Sequence, residues 1–173
     1  MKKVLAIAAF ALISMNVLAQ DKKACKADVM ESKPGVVIQK EYFRITTFRG
    51  LAIAVEYITD LTSNQKLSAL DFEFTTGGDN SETVSTLLDP DEVDALLAFF
   101  QNMQDNISKS AAPKNYTEYS YITKSGLQAG CYWNNGWKTY LKVDNENSKT
   151  DVELGKDDMP VFISFIRQAK TKF

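Results

Sequence analysis

The 173-residue chain is predicted to be an α+β protein of two similar halves, each an antiparallel four-stranded sheet followed by one helix, in the order ββββα-ββββα. Three observations carry this expectation. The segment Gly50-Leu51-Ala52-Ile53-Ala54-Val55-Glu56-Tyr57 is answered by Gly126-Leu127-Gln128-Ala129-Gly130-Cys131-Tyr132-Trp133, and Leu88-Asp89-Pro90-Asp91-Glu92-Val93 by Leu154-Gly155-Lys156-Asp157-Asp158-Met159. Between these anchors the apolar residues alternate, as in half-buried strands. Each half then ends in an apolar stripe at helical spacing.

The chain opens on Lys2 and Lys3, an apolar run from Val4 to Ile13, and Val17-Leu18-Ala19, the three parts of a cleavable export signal over 1–19. The run is shorter than the roughly 20 residues that span a bilayer, so no membrane anchor is expected. Export implies a periplasmic or extracellular protein. Cleavage removes two lysines and no acid, leaving 18 Lys and Arg against 22 Asp and Glu, a net −4. That balance disfavours nucleic acid as partner, because non-specific binding to phosphates rests on excess cations.

Residues 20–34 read as an N-terminal extension, 35–104 as the first repeat, 105–114 as a linker and 115–173 as the second repeat. In the first repeat, Gly35 to Phe48 and Leu51 to Ile58 are rich in β-branched and aromatic residues around the Arg49-Gly50 turn, and Leu70, Phe72 and Phe74 alternate with Asp71, Glu73 and Thr75. After Gly77-Gly78-Asp79-Asn80, Glu82 to Leu88 supplies a fourth strand. Asp89-Pro90-Asp91-Glu92 opens a helix with a cap, a first-turn proline and acids at the positive end of the dipole. Val93, Leu96, Leu97, Phe100 and Met103 form its buried stripe.

The second repeat runs through Tyr116 to Thr123, Leu127 to Trp133, Trp137 to Val143 and Thr150 to Leu154, then a helix with Met159, Phe162, Ile163, Ile166 and Ala169 on one side. A three-residue turn at Asn134-Asn135-Gly136, with Gly136 left-handed, pairs Trp133 with Trp137, Cys131 with Thr139 and Ala129 with Leu141, and separates apolar from polar side chains. Both tryptophans then face the helix as core. Tyr132, Lys138, Tyr140, Lys142 and Gln128 face away from it, and the same alternation turns Glu56, Asp71 and Glu73 outward in the first half. Two open faces of opposite sign are expected, suited to a protein or glycan partner, or to each other in a homodimer. Strands of this local pattern can also curl into a closed barrel with a terminal helix.

The ββββα order over Gly35 to Phe173 resembles in layout the Whirly and PUR-type folds that bind single-stranded nucleic acid. The resemblance implies the same arrangement of elements; the lysine- and glycine-bearing motifs such proteins use are absent from this sequence.

Histidine does not occur, which removes Ser-His-Asp and Cys-His nucleophiles and His-ligated metals. No glycine-rich phosphate loop occurs either, so no cofactor or metal is expected. Asp89, Asp91, Glu92 and Asp94, with Asp157 and Asp158, read as helix-start acids. Asp144 to Ser148 has oxygen ligands at alternate positions, but Lys149 stands where a calcium loop needs glycine. Asn106-Ile107-Ser108 and Asn115-Tyr116-Thr117 match the glycosylation acceptor pattern. Cys25 and Cys131 either form a disulfide, worth ~3–5 kcal/mol for so long a loop, or Cys131 is a small core residue. The sequence thus favours an exported, non-enzymatic binding module working through its open sheet faces. A single-strand nucleic-acid binder and a carboxylate-only hydrolase are the alternatives.

Overall fold

A computed structural model describes residues 24–75, 82–145 and 148–173. It contains two separate four-stranded antiparallel sheets, each followed by a helix. The first sheet has the order β1 (Ile38–Phe48), β2 (Leu51–Asp60), β3 (Gln65–Thr75) and β4 (Thr83–Leu88), and the second β5 (Glu118–Ile122), β6 (Leu127–Trp133), β7 (Trp137–Asn145) and β8 (Ser148–Leu154). The sheets stay open, so neither half is a barrel. The export signal and the glycine turn after Thr75 lie outside the described residues, as do the side chains of the Asp144 to Ser148 loop.

Register follows the alternation. β6 and β7 pair Trp133 with Trp137, Cys131 with Thr139 and Ala129 with Leu141. Gly136 has the expected positive φ (139°), joined there by Asn135 (φ 52°), and the Gly136 carbonyl accepts from Asn134 N–H at 2.9 Å. Asparagine tolerates this region better than most residues. β1 carries a bulge between Arg44 and Thr46.

Helices α2 (Pro90–Asp105) and α3 (Asp158–Lys170) share one core with the inner faces of both sheets. Leu51, Ile53, Val55, Leu70 and Phe72 come from the first sheet, Leu127, Ala129, Cys131 and Leu141 from the second. The helix that closes the second repeat rests on the first sheet: Phe162 lies 6.1 Å from Phe72, and Phe165 5.6 Å from Phe48. In the opposite sense, Phe99 of α2 stacks on Tyr121 of β5 at 6.3 Å. Phe100 meets Phe162 edge-on at 5.1 Å, where the helices touch. Burying three such rings at the centre supplies packing that neither half has alone.

Three expectations change. Cys25 and Cys131 are free thiols buried in different clusters, so the bridge is not formed and each acts as a small apolar residue. Burial pushes both thiols up to about 12. The N-terminal extension packs on the first half, where a helix, α1 (Lys26–Glu31), lays Cys25, Ala27 and Met30 against Ile58, Ala69 and Leu87 on the outer face of the first sheet. The tryptophans, finally, are only half-buried: Trp137 packs at the margin of the core, and Trp133 meets it edge-on at 5.5 Å.

Candidate functional site

The acids at the start of α2 do more than cap it. Glu92 Oε2 accepts from Asp89 N–H at 3.2 Å, which is the expected reciprocal cap, yet both carboxylates also reach outside the helix. Asp89 accepts from Lys26 N–H at the start of α1 (3.0 and 3.1 Å), and Glu92 Oε1 accepts from Lys124 N–H in the β5–β6 turn at 2.6 Å. Lys124 Nζ then pairs with Asp91 at 3.0 Å and lies 3.6 Å from Asp89. At α3 the acid that caps is Asp158, which accepts from Gly155 N–H at 2.7 Å and takes Arg49 from the β1–β2 turn at 2.7 and 3.0 Å. These clusters join elements distant in the chain.

The outer face of the first sheet does carry Glu56, Asp71 and Glu73 together, since Glu56 pairs with Ala69, Ala54 with Asp71 and Ala52 with Glu73. It is not an exposed acidic surface. Glu56 and Asp71 are buried and only Glu73 is half-exposed. Lys40 bridges Glu56 Oε1, at 3.2 Å, to Glu31 of α1, tying the helix down. Burial raises the Glu56 carboxyl above its ordinary range, with the Tyr42 hydroxyl and Lys40 opposing it. Asp71 is likewise raised by burial, against a hydrogen bond from Ser85 Oγ. What remains open is a shallow hollow of about 290 Å³ over Ala52 and Ala54, between Tyr42, Arg44, Asp71 and Glu73.

On the second sheet, Tyr132 stands opposite Lys138, Gly130 opposite Tyr140 and Gln128 opposite Lys142, so the five expected residues share the outer face. Tyr140 is the exception in exposure, at 9 %. Its ring lies flat over Gly130: a Cβ there would sit 2.3 Å from ring carbon Cζ, so only glycine fits under it. The hydroxyl accepts from Gln128 Nε2 at 3.2 Å and donates to Glu118 Oε1 at 2.6 Å, while Tyr116 donates to Glu118 Oε2 at 2.7 Å. Held by Tyr140 first and Tyr116 second, the Glu118 carboxyl lies below its ordinary range, whereas burial and Glu118 push the Tyr140 phenol up. Lys142 Nζ is 5.8 Å from the Tyr140 ring centre, and Tyr132 packs beside that ring at 6.2 Å.

Around this network lies a concavity of about 420 Å³, within the range of small-ligand sites. Tyr116, Tyr132 and Tyr140 give it aromatic walls, and Glu118, Lys142, Asp151 and Glu153 give it charge. Lys138 shares the face but does not line the hollow. The face therefore mixes Lys138 and Lys142 with three carboxylates, which corrects the expected contrast of sign between the two halves. Glu118, Asp151 and Glu153 were missed because they come from β5 and β8, whose registers the sequence leaves open, and Tyr116 because it stands just before β5. Gly130 in mid-strand was the available signal, since a strand glycine marks the close approach of another group.

The repeat makes the contrast between halves specific. Aligning Ala54 with Gly130 places Ile58, Ala69 and Leu87, which α1 covers, against Asn134, Lys138 and Glu153. The second face is polar where the first is built to be covered. No protein-family model matches the chain, and no curated protein matches it.

Proposed function

We propose that this is an exported, non-enzymatic binding protein that takes a glycan in the concavity of the second sheet. The observation that carries the reading is the hydrogen-bonded Tyr116–Glu118–Tyr140–Gln128 network set into aromatic walls. Tyrosine faces accept the C–H side of a sugar ring, and fixed carboxylates and Lys142 accept from and donate to its hydroxyls; such amphipathic rings suit half-wet sites. Because each Glu118 oxygen is already bonded and Tyr140 is braced by Gly130, the site is pre-ordered, which reduces what a ligand must spend on ordering it. An apolar helix fits poorly where Asn134, Lys138 and Glu153 replace the residues that α1 covers. Polynucleotides fit poorly beside Glu118, Asp151 and Glu153, whose charges repel phosphate.

Calorimetric titration with a panel of neutral and amino-sugar oligosaccharides tests the reading. Binding by at least one class is expected, with Tyr132→Ala and Asp151→Asn each weakening it about tenfold or more, the loss of about 1.4 kcal/mol of contact, at an unchanged melting temperature. Tyr140→Ser is a poor probe, because that ring is part of the packing. A flat response across the panel, or unchanged affinity in both variants, overturns the proposal.

A further inference from the structure

Among the described residues the two sheets leave the outer edges of β1, β4, β5 and β8 unpaired, and three of these are guarded. A bare edge of unpaired N–H and C=O groups is a template for another strand, which natural sheets block with bulges, charges or cover. β1 has its bulge at Arg44/Thr46 and the charges of Lys40 and Arg44. On β4 the Leu87 carbonyl is taken by Ser125 Oγ from the second half. β8 carries exposed Asp151 and Glu153. β5 has no bulge, no proline and no lysine, and its one charge, Glu118, is bonded to Tyr116 and Tyr140.

The ladder fixes which groups are free. Trp133 N–H donates to Thr117 O at 3.1 Å, and Thr123 N–H to Leu127 O at 2.9 Å, so the odd-numbered residues of β5 bond to β6. In an antiparallel ladder these alternate with residues whose N–H and C=O point the other way. Glu118, Ser120 and Ile122 therefore present theirs to the open edge. Tyr116 (70 %), Tyr119 (44 %) and Ile122 (63 %) are large apolar side chains left exposed on or beside the same strand.

We propose that β5 is a self-association edge, pairing antiparallel with β5 of a second copy about a two-fold axis at Ser120. The occupant is identified by self-complementarity. With Ser120 opposite Ser120 of the copy, Glu118 falls opposite Ile122 and every outward N–H and C=O of the strand finds a partner. The same register sets Tyr119 opposite Tyr121, a close aromatic cross-strand pair, and brings Ile122 diagonally onto Tyr116 of the other copy, within reach for an aromatic ring. Two four-stranded sheets become one of eight, and two glycan concavities lie on the same side of it.

Light scattering of the purified protein over a roughly hundredfold dilution, at low and high salt, tests this. A dimer is expected that dissociates on dilution and persists in salt, because backbone pairing and apolar cover, not charge, hold it. Ser120→Pro removes the N–H at the axis, which points away from β6, and places a ring on the edge. It is expected to give a monomer at every concentration, with an unchanged far-ultraviolet spectrum and the melting curve of wild type diluted below its dissociation midpoint. Ile122→Lys, a milder edge block, is expected to raise the dissociation midpoint at least tenfold. Wild-type protein that is monomeric throughout overturns the proposal, and so does a dimer that survives both substitutions or dissociates in salt alone.

Discussion

At the scale of single residues, Gly130 and Tyr140 are one feature written at two positions. The ring occupies the space a Cβ would need, so Gly130→Ala displaces Tyr140 and breaks its bonds to Glu118 and Gln128. Overpacking of this kind costs about 1–3 kcal/mol. Tyr140→Ser in the same chain removes the clash, so urea unfolding of the single and double variants is expected to show costs that do not add. Two acids give opposite pH signatures. Asp60 accepts from Thr62 N–H at 2.8 Å and Ser63 N–H at 3.2 Å, and bonds from Ser63 above all, with Thr62 and Lys33 beside it, lower its carboxyl to about 2. The folded state thus binds that proton less readily than the unfolded chain, whose value is about 3.9. Asp60 contributes stability above pH ~4 that is lost as the pH falls towards 2, and Asp60→Asn is expected to flatten that limb. Asp71, raised by burial, behaves in reverse. Its folded form holds the proton more tightly, so stability falls as the pH rises above ~4. Asp71→Asn keeps an acceptor for Ser85 and is expected to exceed wild type in urea resistance at pH 7, with the gain vanishing below about pH 4.

At the scale of elements, the start of α2 shows how much a sequence discloses and where it stops. Asp89, Pro90 and Glu92 announce a helix start by local chemistry alone, and the helix begins there. The same carboxylates also hold Lys26 and Lys124, and no local rule exposes partners that distant in the chain. Asp89→Ala removes both the cap and the anchor of α1. A loss of about 1–2 kcal/mol is expected from the cap, with faster hydrogen exchange at Lys26 to Glu31 as the sign that α1 has loosened. If those amides keep their protection, the contact from Asp89 is not what seats the helix. Strand existence and the β6–β7 register were legible because alternation and the three-residue Asn134-Asn135-Gly136 turn agree. The role of residues 24–34 was not, since a helix from Lys26 to Glu31 is too short to show a period and its small apolar side, Cys25, Ala27 and Met30, has meaning only against Ile58, Ala69 and Leu87. Likewise the Glu56, Asp71 and Glu73 face was placed correctly by period-2 reasoning, but its burial depends on that unforeseen cover.

At the scale of the whole molecule, duplication misleads on one point: two repeats in sequence are not two units in space. Alternation told each strand which side to bury, and helical stripes told α2 and α3 that they were half-covered, but neither pattern says which sheet a helix will lie on. Here α3 of the second repeat packs on β1 and β2 of the first, Phe99 of α2 reaches Tyr121 of the second, and Phe72, Phe100 and Phe162 meet in the middle. Removing either half strips the other of one side of its core. Residues 24–104 and 105–173 made separately are therefore expected to give no cooperative melting transition, while mixing them restores one. Within the intact chain, Phe162→Ala opens a void bordered by both repeats and is expected to cost about 3–5 kcal/mol. Its unfolding should remain a single transition seen alike by tryptophan fluorescence, which reports the second sheet through Trp133 and Trp137, and by far-ultraviolet dichroism, which reports both. Two separated transitions would mean that the repeats fold independently and that the central aromatic contacts are not what joins them.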